Sequence, residues 1–451
     1  MGENRLIVVS NRLPLTLRRA GAGWRAERST GGLATALEPV MRRRHGIWLG
    51  WPGDPPDAPD PERSRTLAQW EEEHGLIAVD LPKAVAHHFY HGFSNGTLWP
   101  LFHEFPSRFE YSDRGWEAYV EANERFADAV VRRARPGDTV WVHDYHLMLV
   151  PQLLRKRSPD LAIGFFLHIP FPPSDVFRVL PNRGELLRGL LGADCIAFQT
   201  HRFVQHFRAS LLRILGISSR MDGVEVGGRT AGLEAQPIGI HPEEFAGAVE
   251  TDPGVARSMA ELKRRFEGRR ILLAVDRLDY TKGIPQRLRA YRRLLETVPE
   301  TRRTVVLVQI AVPSRERIPL YSELREEVNR LVGEINGALS TPDWAPIVYI
   351  RRAVPRPELV ALYASADVAW VAPLRDGMNL VAKEYVACKR GGDGALVLSE
   401  FAGAAAEMGE ALLVNPYDEH LTVDAVARAL AMPHEERRER MTALYRRVLR
   451  N

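Results

Sequence analysis

Two basic side chains follow a strongly apolar run in the second half of the chain. The run ILLAVD continues into RLDYTKG, which places Arg277 and Lys282 on a loop directly after a predicted strand. A forked guanidinium and a compact ammonium can together neutralise a diphosphate. An equally good alternative for this motif by itself is that both cations form surface ion pairs with Asp276 or Asp279. The motif therefore predicts either a diphosphate site or ordinary surface pairs.

A second polar motif follows the strand-like run DVAWVAP. In LRDGMNLVAKE, Asp376 comes directly after the strand and Glu384 lies on the helix that follows. Gly377 permits a tight backbone, and the N–H groups after it lie at a helix start, where anions bind. Carboxylates at such a place can accept hydrogen bonds from sugar hydroxyls. Together with the first motif, this one favours a nucleotide-sugar site.

Two strand-like runs in the first half also end in polar side chains. The run TVWVH leads into Asp144, and GFFL leads into His168. The carboxyl ends of neighbouring parallel strands meet at one edge of a sheet, where ligands bind. A single histidine in such a place is more often a hydrogen-bonded structural residue. Two strand ends of this kind favour a functional site.

Two further segments could contact a ligand. The segment STGGL brings the backbone of Gly32 to a helix start, where it could approach a phosphate, although plain turn chemistry is the commoner explanation. The aromatic, glycine-rich segment at residues 90–100 is predicted to be irregular and could line a sugar pocket, while core packing explains any single ring.

The order of elements predicts parallel sheets covered by helices, an α/β fold. Apolar runs alternate with helix-period segments along nearly the whole chain. Helices are predicted at residues 115–135 and 146–157, and a surface loop at residues 51–63. A loop-like segment at residues 238–255 predicts two domains, 1–240 and 241–451. Strands are predicted at RLIVVS, DTVWVH, AIGFFLH, DCIAFQ, EAQPIGI, ILLAVD, TVVLVQI, PIVYI, DVAWVAP and GALVLS.

Composition narrows the class of protein. A hydrophobic fraction of 45% and a charged fraction of 26% are those of a globular protein, and no window is apolar enough to span a membrane. We therefore expect a cytoplasmic protein without membrane contact. The arginines are spread over helical faces, which argues against a nucleic-acid partner. Cys195 and Cys388 lack the spacing of a disulfide framework or a structural zinc site.

The ordered motifs resemble those of trehalose-6-phosphate synthases, retaining glucosyltransferases of the GT-B fold. The matching motifs span roughly residues 5 to 420. The resemblance implies two Rossmann-like domains whose parallel sheets face across a central cleft, the first binding the acceptor and the second the nucleotide sugar. The motifs are SNRLPL, STGGL, WLGWPG, YHGFSNGTLWPLFH, HDYHLMLVPQLLR, GFFLHIPFP, VDRLDYTKG and LRDGMNLVAKEYVA.

The resemblance also implies roles for individual residues. The implied donor-binding residues are Gly32, Arg277, Lys282, Asp376, Met378, Asn379, Leu380, Val381 and Glu384. The implied acceptor-binding residues are Arg12, Trp51, Tyr90, Trp99, Asp144 and Arg315. Asp144, His168, Arg277 and Lys282 are the implied catalytic residues, the two cations stabilising the leaving diphosphate and the other two orienting the sugars.

The implied reaction moves glucose from a nucleoside diphosphate glucose, with UDP-glucose favoured, to glucose 6-phosphate. We expect no cofactor and no metal, because no Asp-x-Asp sequence follows a strand. The expected partners are these small molecules, and a homo-oligomer is compatible with the sequence. Two alternatives remain: a same-fold transferase with another phosphorylated acceptor, such as a glucosylglycerol-phosphate synthase, or a non-catalytic homologue that senses sugar phosphates. A dinucleotide-dependent oxidoreductase would need a GxGxxG after its first strand.

A short excursion separates Arg12 from Gly32. Residues 16–27, TLRRAGAGWRAE, could form a mobile flap over the site or a plain hairpin turned at Gly-Ala-Gly.

Overall fold

The chain divides into two compact units, Met1–Pro237 and Ile238–Asn451. The structure, a computed structural model, describes residues 5–20, 23–28, 37, 40–41, 46–53, 60–315 and 318–450. From the sequence we expect the boundary after residue 240, three residues later. The prediction that residues 238–255 are loop-like is wrong, because helices occupy Pro242–Thr251 and Pro253–Arg265. Among the described residues, no helix is both long and apolar enough to cross a membrane.

The first unit is built on an eight-stranded sheet with the order β5-β4-β1-β6-β7-β8-β10-β9. Neighbouring strands are parallel except β9 and β10, so the carboxyl ends of β1, β4, β6 and β7 share one edge. The strands of this unit are β1 (Leu6–Arg12), β2 (Leu15–Ala20), β3 (Gly23–Arg28), β4 (Ile47–Trp51), β5 (Leu76–Ala78), β6 (Thr139–His143), β7 (Ala162–Leu167), β8 (Cys195–Phe198), β9 (Gly223–Val226) and β10 (Arg229–Ala235).

The first unit also contains helices of different lengths. The longest of them, α4, begins after Ser112, whose hydroxyl accepts a hydrogen bond from the backbone N–H of Gly115 at 3.1 Å. The helices are α1 (Pro61–His74), α2 (Lys83–Ala86), a π-helix (His87–Leu98), α3 (Trp99–Phe102), α4 (Asp113–Arg133), α5 (Val150–Arg157), α6 (Ser174–Phe177), α7 (Arg183–Leu190), α8 (His201–Ser210) and a second π-helical stretch (Leu211–Leu215). Short 3-10 turns lie at Pro106–Arg108 and Tyr145–Leu147.

Four local predictions in this unit have mixed outcomes. The prediction that residues 90–100 are irregular is wrong, because they belong to the π-helix and to α3. The predicted loop at residues 51–63 is shorter than expected, since Trp51 ends β4 and α1 begins at Pro61, while residues 54–59 lie outside the described part. The helix expected at residues 146–157 starts only at Val150. For residues 16–27, the antiparallel pairing of β2 with β3 agrees with the hairpin interpretation, while residues 21 and 22 of the predicted turn lie outside the described part.

The second unit has a six-stranded, fully parallel sheet with the order β13-β12-β11-β14-β15-β16. Its central strands are buried because helices cover both faces of such a sheet, which explains their uninterrupted apolar runs. The strands are β11 (Arg270–Arg277), β12 (Val305–Val312), β13 (Ile347–Ile350), β14 (Val368–Val371), β15 (Ala395–Ser399) and β16 (Leu412–Val414). The helices are α9 (Pro242–Thr251), α10 (Pro253–Arg265), α11 (Ile284–Thr297), α12 (Pro319–Leu339), α13 (Arg356–Ser365), α14 (Leu380–Cys388), α15 (Glu419–Ala431) and α16 (His434–Arg450), with 3-10 turns at Tyr280–Lys282, Pro299–Thr301 and Gly403–Ala406.

Nine of the strands predicted from the sequence are present in one of the two sheets. The prediction of a strand at EAQPIGI, residues 234–240, is largely wrong, because β10 ends at Ala235. The short strands β4, β5, β9 and β16 were not predicted, because runs of three to five residues carry too little periodicity to identify a strand.

Candidate active site

Three of the predicted acceptor residues meet at the carboxyl edge of the first sheet. Arg12 ends β1 directly beside Trp51, which ends the neighbouring strand β4. The guanidinium carbon of Arg12 lies 3.9 Å from the ring centre of Trp51 and 5.2 Å from that of Tyr90. The two rings thus hold the guanidinium by cation–π contact at the sheet edge. This group combines a fixed positive charge with two aromatic faces, a combination suited to a sugar phosphate.

A hydrogen-bonded chain fixes the aromatic segment that carries Tyr90. The amide of Asn95 donates to the backbone oxygen of Tyr90 at 2.8 Å and accepts from the hydroxyl of Tyr145 at 2.9 Å. The Tyr145 ring in turn lies 5.7 Å from the ring of Trp99. The fourth predicted acceptor residue is therefore linked to the first three through Tyr145. π-Helical stretches of this kind are frequent at functional sites.

Asp144 is held in an unusual backbone conformation immediately after β6. Its φ angle is 74°, in the left-handed region that non-glycine residues seldom adopt. Its N–H donates to the carbonyl of Phe166 at 2.8 Å, and its carboxylate accepts from the backbone N–H of His168 at 3.2 Å. These two bonds tie the ends of β6 and β7 together. Such an outlier, fixed by its surroundings, is typical of a functional position.

A pair of histidines lies beside Asp144. Nδ1 of His143 is 3.1 Å from Nε2 of His168. Burial lowers the pKa of His168 to about 3, and burial together with the neighbouring His168 lowers the pKa of His143 well below its ordinary value. Both rings are therefore neutral at physiological pH, so His168 can exchange a hydrogen bond with a sugar hydroxyl without adding charge.

In the second unit, the ammonium of Lys282 is paired with Asp376. Its Nζ lies 2.6 Å from a carboxylate oxygen of Asp376, which also accepts from the side-chain amide of Asn379 at 3.0 Å. Lys282 is mostly buried, with 8% of the residue exposed. The following Gly283 has a φ of 66°, and a Cβ there would lie 2.8 Å from the carbonyl of Ala372. The tight loop that delivers Lys282 therefore requires glycine at this position.

Asp279 is the centre of a second polar cluster in the same loop. One of its oxygens accepts from Arg315 at 2.7 Å and from the hydroxyl of Tyr321 at 3.1 Å. The other accepts from the backbone and the hydroxyl of Thr281 at 3.0 and 2.9 Å. Burial of Asp279 opposes its ionisation, but Arg315, Arg277, the backbone N–H of Thr281 and Lys282 together outweigh burial and hold the pKa of Asp279 at about 2. The cluster fixes the β11 loop against the start of α12.

The partners of the carboxylates decide between the two interpretations of the cation motif for Lys282. Asp276 forms an ion pair with Arg287, 2.5 Å away, and both side chains are buried. Asp279 is paired with Arg315, and Lys282 with Asp376. Arg277 is exposed at the end of β11. Lys282 is therefore no surface cation, and its carboxylate partner is one that the sequence motif did not suggest.

The residues from Met378 to Val381 form the amino terminus of α14. Asn379 precedes the helix with a φ of 84°, and Met378 is buried. The first-turn N–H groups of such a helix lack partners within the helix and favour an anion. A Cβ on Gly403 would lie 1.9 Å from the carbonyl of Gly377, so a close backbone approach supports this turn. Leu380 and Val381, both half-buried, provide the first helical positions.

Glu384 lies one turn further along the same helix. Its carboxylate accepts from the hydroxyl of Tyr363 at 2.8 Å. Burial raises the pKa of Glu384, and the Tyr363 hydrogen bond partly opposes this shift. Tyr363 lies on α13 and is buried, so it orients the carboxylate from behind.

The structure adds four residues that sequence reasoning left out of the site: His143, Asp279, Tyr321 and Tyr363. The only sequence signals for the first two were their places in HDYH and RLDYTKG, and nothing in the sequence singled out the two tyrosines. Among the described side chains, no group of three or more His, Cys, Asp or Glu could hold a metal ion.

Two predicted residues stand apart from these clusters. Gly32 lies outside the described residues, so its predicted phosphate contact stays a prediction. Arg315 belongs to the second unit, where it is bound to Asp279, while the other predicted acceptor residues belong to the first. Its role toward the acceptor likewise stays a prediction.

Comparison with protein families gives a match over almost the whole chain. The sequence model of glycosyltransferase family 20 matches residues 4–451. The chain belongs to glycosyltransferase family 20.

Among its relatives, this family 20 glycosyltransferase is 47% identical over 455 residues to a trehalose-6-phosphate synthase of Mycolicibacterium gilvum, with 98% of this chain and 90% of the relative covered. It is 44% identical over 450 residues to alpha,alpha-trehalose-phosphate synthase [UDP-forming] A of Dictyostelium discoideum. That match covers the whole of this chain but only 61% of the relative.

Solved structures of the family share the fold. A UDP-forming synthase from Burkholderia vietnamiensis superposes with a TM-score of 0.90 at 38% identity, covering 100% of this chain and 94% of that one. A synthase from Burkholderia xenovorans in complex with glucose-6-phosphate has a TM-score of 0.88 at 37% identity, covering 99% and 96%. A protein from E. coli bound with UDP-2-fluoro glucose has a TM-score of 0.88 at 34% identity, with the same coverage. The predicted α/β class and the family resemblance are thereby confirmed.

Proposed function

We propose that this glycosyltransferase transfers glucose from UDP-glucose to glucose 6-phosphate and forms α,α-trehalose 6-phosphate with retention of configuration. The observation that carries the proposal is the polar cluster of Lys282, Asp376 and Asn379 at the start of α14, close in sequence to the exposed Arg277. Such an arrangement suits a nucleoside diphosphate sugar. The relatives with glucose-6-phosphate or a UDP-glucose analogue bound support the choice of substrates.

The proposed donor site follows from the charges of the second unit. Arg277 and Lys282 neutralise the diphosphate, and the first-turn N–H groups at Leu380 and Val381 bind its oxygens. Asp376 and the backbone at Met378 and Asn379 accept from or donate to the glucose hydroxyls. Glu384, oriented by its bond to Tyr363, accepts from the ribose hydroxyls. Gly32 contributes a backbone N–H to the donor phosphate.

The proposed acceptor site follows from the edge of the first sheet. Arg12, together with the Tyr90 hydroxyl and the Trp99 indole, binds the phosphate of glucose 6-phosphate, and Arg315 completes its neutralisation. Trp51, which is almost fully buried, contributes to this site by holding Arg12 in place. Asp144 accepts from the sugar near the reacting hydroxyl, and His168 orients the transferred glucose.

The reaction breaks the bond between the anomeric carbon and the diphosphate and forms a bond from that carbon to the anomeric oxygen of glucose 6-phosphate. An oxygen of the departing diphosphate takes the acceptor proton on the same face, so configuration is retained without a carboxylate nucleophile. The negative charge that develops on the leaving group is stabilised by Arg277 and Lys282, and fixed cations of this kind supply a large part of catalysis.

Two further expectations accompany the activity. We propose that the protein works in the cytoplasm on freely diffusing substrates, and that any self-association is a homo-oligomer. Cell fractionation tests the location, and size-exclusion chromatography with light scattering measures the oligomeric state directly.

The test is an end-point assay of the purified chain with UDP-, GDP- and ADP-glucose, each offered with glucose 6-phosphate or glycerol 3-phosphate. We expect UDP release and a non-reducing disaccharide phosphate with UDP-glucose and glucose 6-phosphate, unchanged by EDTA. Proton NMR of the product should show two α-anomeric protons. If a product forms only with glycerol 3-phosphate, that compound and not glucose 6-phosphate is the acceptor. If no pair of substrates gives nucleotide release, the proposed activity is refuted.

A further inference from the structure

A histidine that the proposed function does not use lies directly behind one that it does. His143 ends β6 and His168 follows β7, and these strands are neighbours. The two rings are hydrogen-bonded between Nδ1 of His143 and Nε2 of His168 at 3.1 Å, with ring centres 5.3 Å apart. His143 is 1% exposed, whereas His168 is only half-buried. His143 is thus out of reach of a substrate and in contact with the ring that would meet one.

The bond between the two rings requires one donor and one acceptor. Each neutral imidazole carries a single proton, either on Nδ1 or on Nε2. If His143 donates, His168 must carry its own proton on Nδ1. If His168 donates, its Nδ1 is a bare acceptor and His143 carries its proton on Nε2. The tautomer of one ring therefore fixes the tautomer of the other.

The surroundings of His143 distinguish these two arrangements. Its Nε2 is buried and has no hydrogen-bond partner in the described part of the chain. The ring centre lies 4.5 Å from that of Trp141 and 6.4 Å from that of Phe166, so aromatic carbon surrounds it. A buried N–H without an acceptor is rarer in native structures than an unused lone pair. His143 should therefore keep its proton on Nδ1 and donate it to His168.

We propose that His143 is a positioning residue that locks His168 in the tautomer with its proton on Nδ1. His168 then offers an N–H donor at Nδ1, the ring nitrogen that is not bonded to His143. A neutral donor can bind an oxygen of the transferred glucose and hold the ring without attacking it or taking its proton. The inference rests on the proposed function for the identity of the sugar, but the tautomer itself does not.

The first experiment measures the tautomer in the full chain without substrate. Long-range ¹H–¹⁵N correlation of ¹⁵N-histidine-labelled protein separates protonated from bare ring nitrogens, and single His143→Asn and His168→Asn variants assign the two rings. We expect a protonated Nδ1 and a bare Nε2 for His168. A proton on Nε2 of His168, or a mixture of both forms, would overturn the proposal whatever the enzyme turns out to catalyse.

The second experiment tests the consequence with two variants at the same position. In His143→Asn the side-chain amide can still donate to His168, whereas in His143→Phe nothing can. We expect kcat of the Phe variant to fall about 10-fold to 100-fold, the usual effect of losing a partner that orients a functional histidine. The Asn variant should keep most of the wild-type kcat. Equal kcat values for the two variants would contradict the role.

Two controls keep the outcomes apart. UDP affinity measured by calorimetry should be the same in wild type and in both variants, because His143 and the proposed diphosphate cations belong to different units. If the Phe variant does not fold, the tautomer of His168 measured in the wild type still tests the proposal. Absence of synthase activity in the wild type would refute the proposed function and leave the tautomer result standing.

Discussion

The two cations proposed to bind the diphosphate differ in their surroundings. Arg277 is exposed at the end of β11, whereas Lys282 is mostly buried and bonded to Asp376 at 2.6 Å. Removing one member of a buried ion pair leaves the other charge unpaired and destabilises the fold strongly, while removing an exposed cation costs much less. Substitution of Arg277 is therefore the cleaner probe of the proposed leaving-group role.

We expect Arg277→Ala to lower kcat by about two to three orders of magnitude, the range seen when one group that stabilises transition-state charge is removed. The melting temperature should fall only slightly, because Arg277 is exposed and is one of several groups that stabilise the ionised Asp279. Steady-state kinetics and a thermal melt measure both, with Arg264→Ala on the exposed face of α10 as the matched control. Near-normal turnover of Arg277→Ala would remove this residue from the proposed mechanism.

Glu384 depends on a single hydroxyl behind it. The Tyr363 hydroxyl donates to the Glu384 carboxylate at 2.8 Å, and burial otherwise raises the pKa of that carboxylate. Tyr363→Phe keeps the ring and removes only the hydrogen bond, so the carboxylate loses its orientation and is more easily protonated.

We expect Tyr363→Phe to raise the KM for the nucleotide sugar about 5-fold to 10-fold with little change in the KM for glucose 6-phosphate, as for loss of one hydrogen bond to a charged group. Tyr349→Phe removes a buried hydroxyl elsewhere in the same unit and serves as the control. A matching rise in both KM values would indicate general disturbance of the fold instead.

At the scale of elements, the aromatic segment shows how packing overrides local preference. Its glycines and rings favour no regular helix, and from the sequence we expected irregular structure. In the π-helix, however, Phe89 and Phe93 are buried and lie 5.9 and 4.8 Å from the ring of Tyr119 on α4. Their burial stabilises a helical path that the segment would not adopt alone.

The Asp279 cluster connects the β11 loop with α12 through buried charges. The pKa of Asp279 in the folded protein is about 2, below the ordinary value of 3.8. A lowered pKa means that the ionised form stabilises the fold; this contribution is complete above the unfolded pKa and is lost as the pH falls through the folded pKa. The difference corresponds to about 2 kcal/mol at neutral pH.

We therefore expect Asp279→Asn to reduce the free energy of unfolding by about 2 kcal/mol at neutral pH, with the deficit shrinking as the pH falls from about 4 to about 2. Urea unfolding at a series of pH values measures this difference. Asp160→Asn, at an exposed position of the first unit, is the control. A deficit that does not change across this interval would mean that the charge of Asp279 is not what stabilises the loop.

At the scale of the molecule, most of the proposed acceptor residues belong to the first compact unit and most of the proposed donor residues to the second, with Arg315 and Gly32 as the exceptions. Each substrate should therefore stabilise the protein mainly through one unit, by an amount set by its concentration relative to Kd, about 2.7 kcal/mol at 100 times Kd. Variants in one unit can then be used to separate the two binding events.

We expect Arg12→Ala to abolish most of the thermal stabilisation by glucose 6-phosphate and to leave that by UDP unchanged. Differential scanning fluorimetry with each ligand measures the two shifts, and Arg114→Ala provides an exposed arginine of the same unit for comparison. Loss of the UDP shift in Arg12→Ala would contradict the division of roles.

The sequence by itself determined the class of fold, the strands that carry the polar residues, and most of the residues at the strand ends. These are local properties, because apolar periodicity and glycine placement act over a few neighbouring positions. RLDYTKG and LRDGMNLVAKE therefore predict a nucleotide-sugar site from local pattern alone.

Only the tertiary structure decided which groups touch. Lys282 meets Asp376, Arg315 meets Asp279, and Tyr363 meets Glu384 across separations that no local pattern encodes. The same holds for the contact of His143 with His168, which depends on β6 and β7 being neighbours in register. Pairing of this kind follows from how whole strands and helices pack, since a side chain takes its partner from the elements that burial brings beside it.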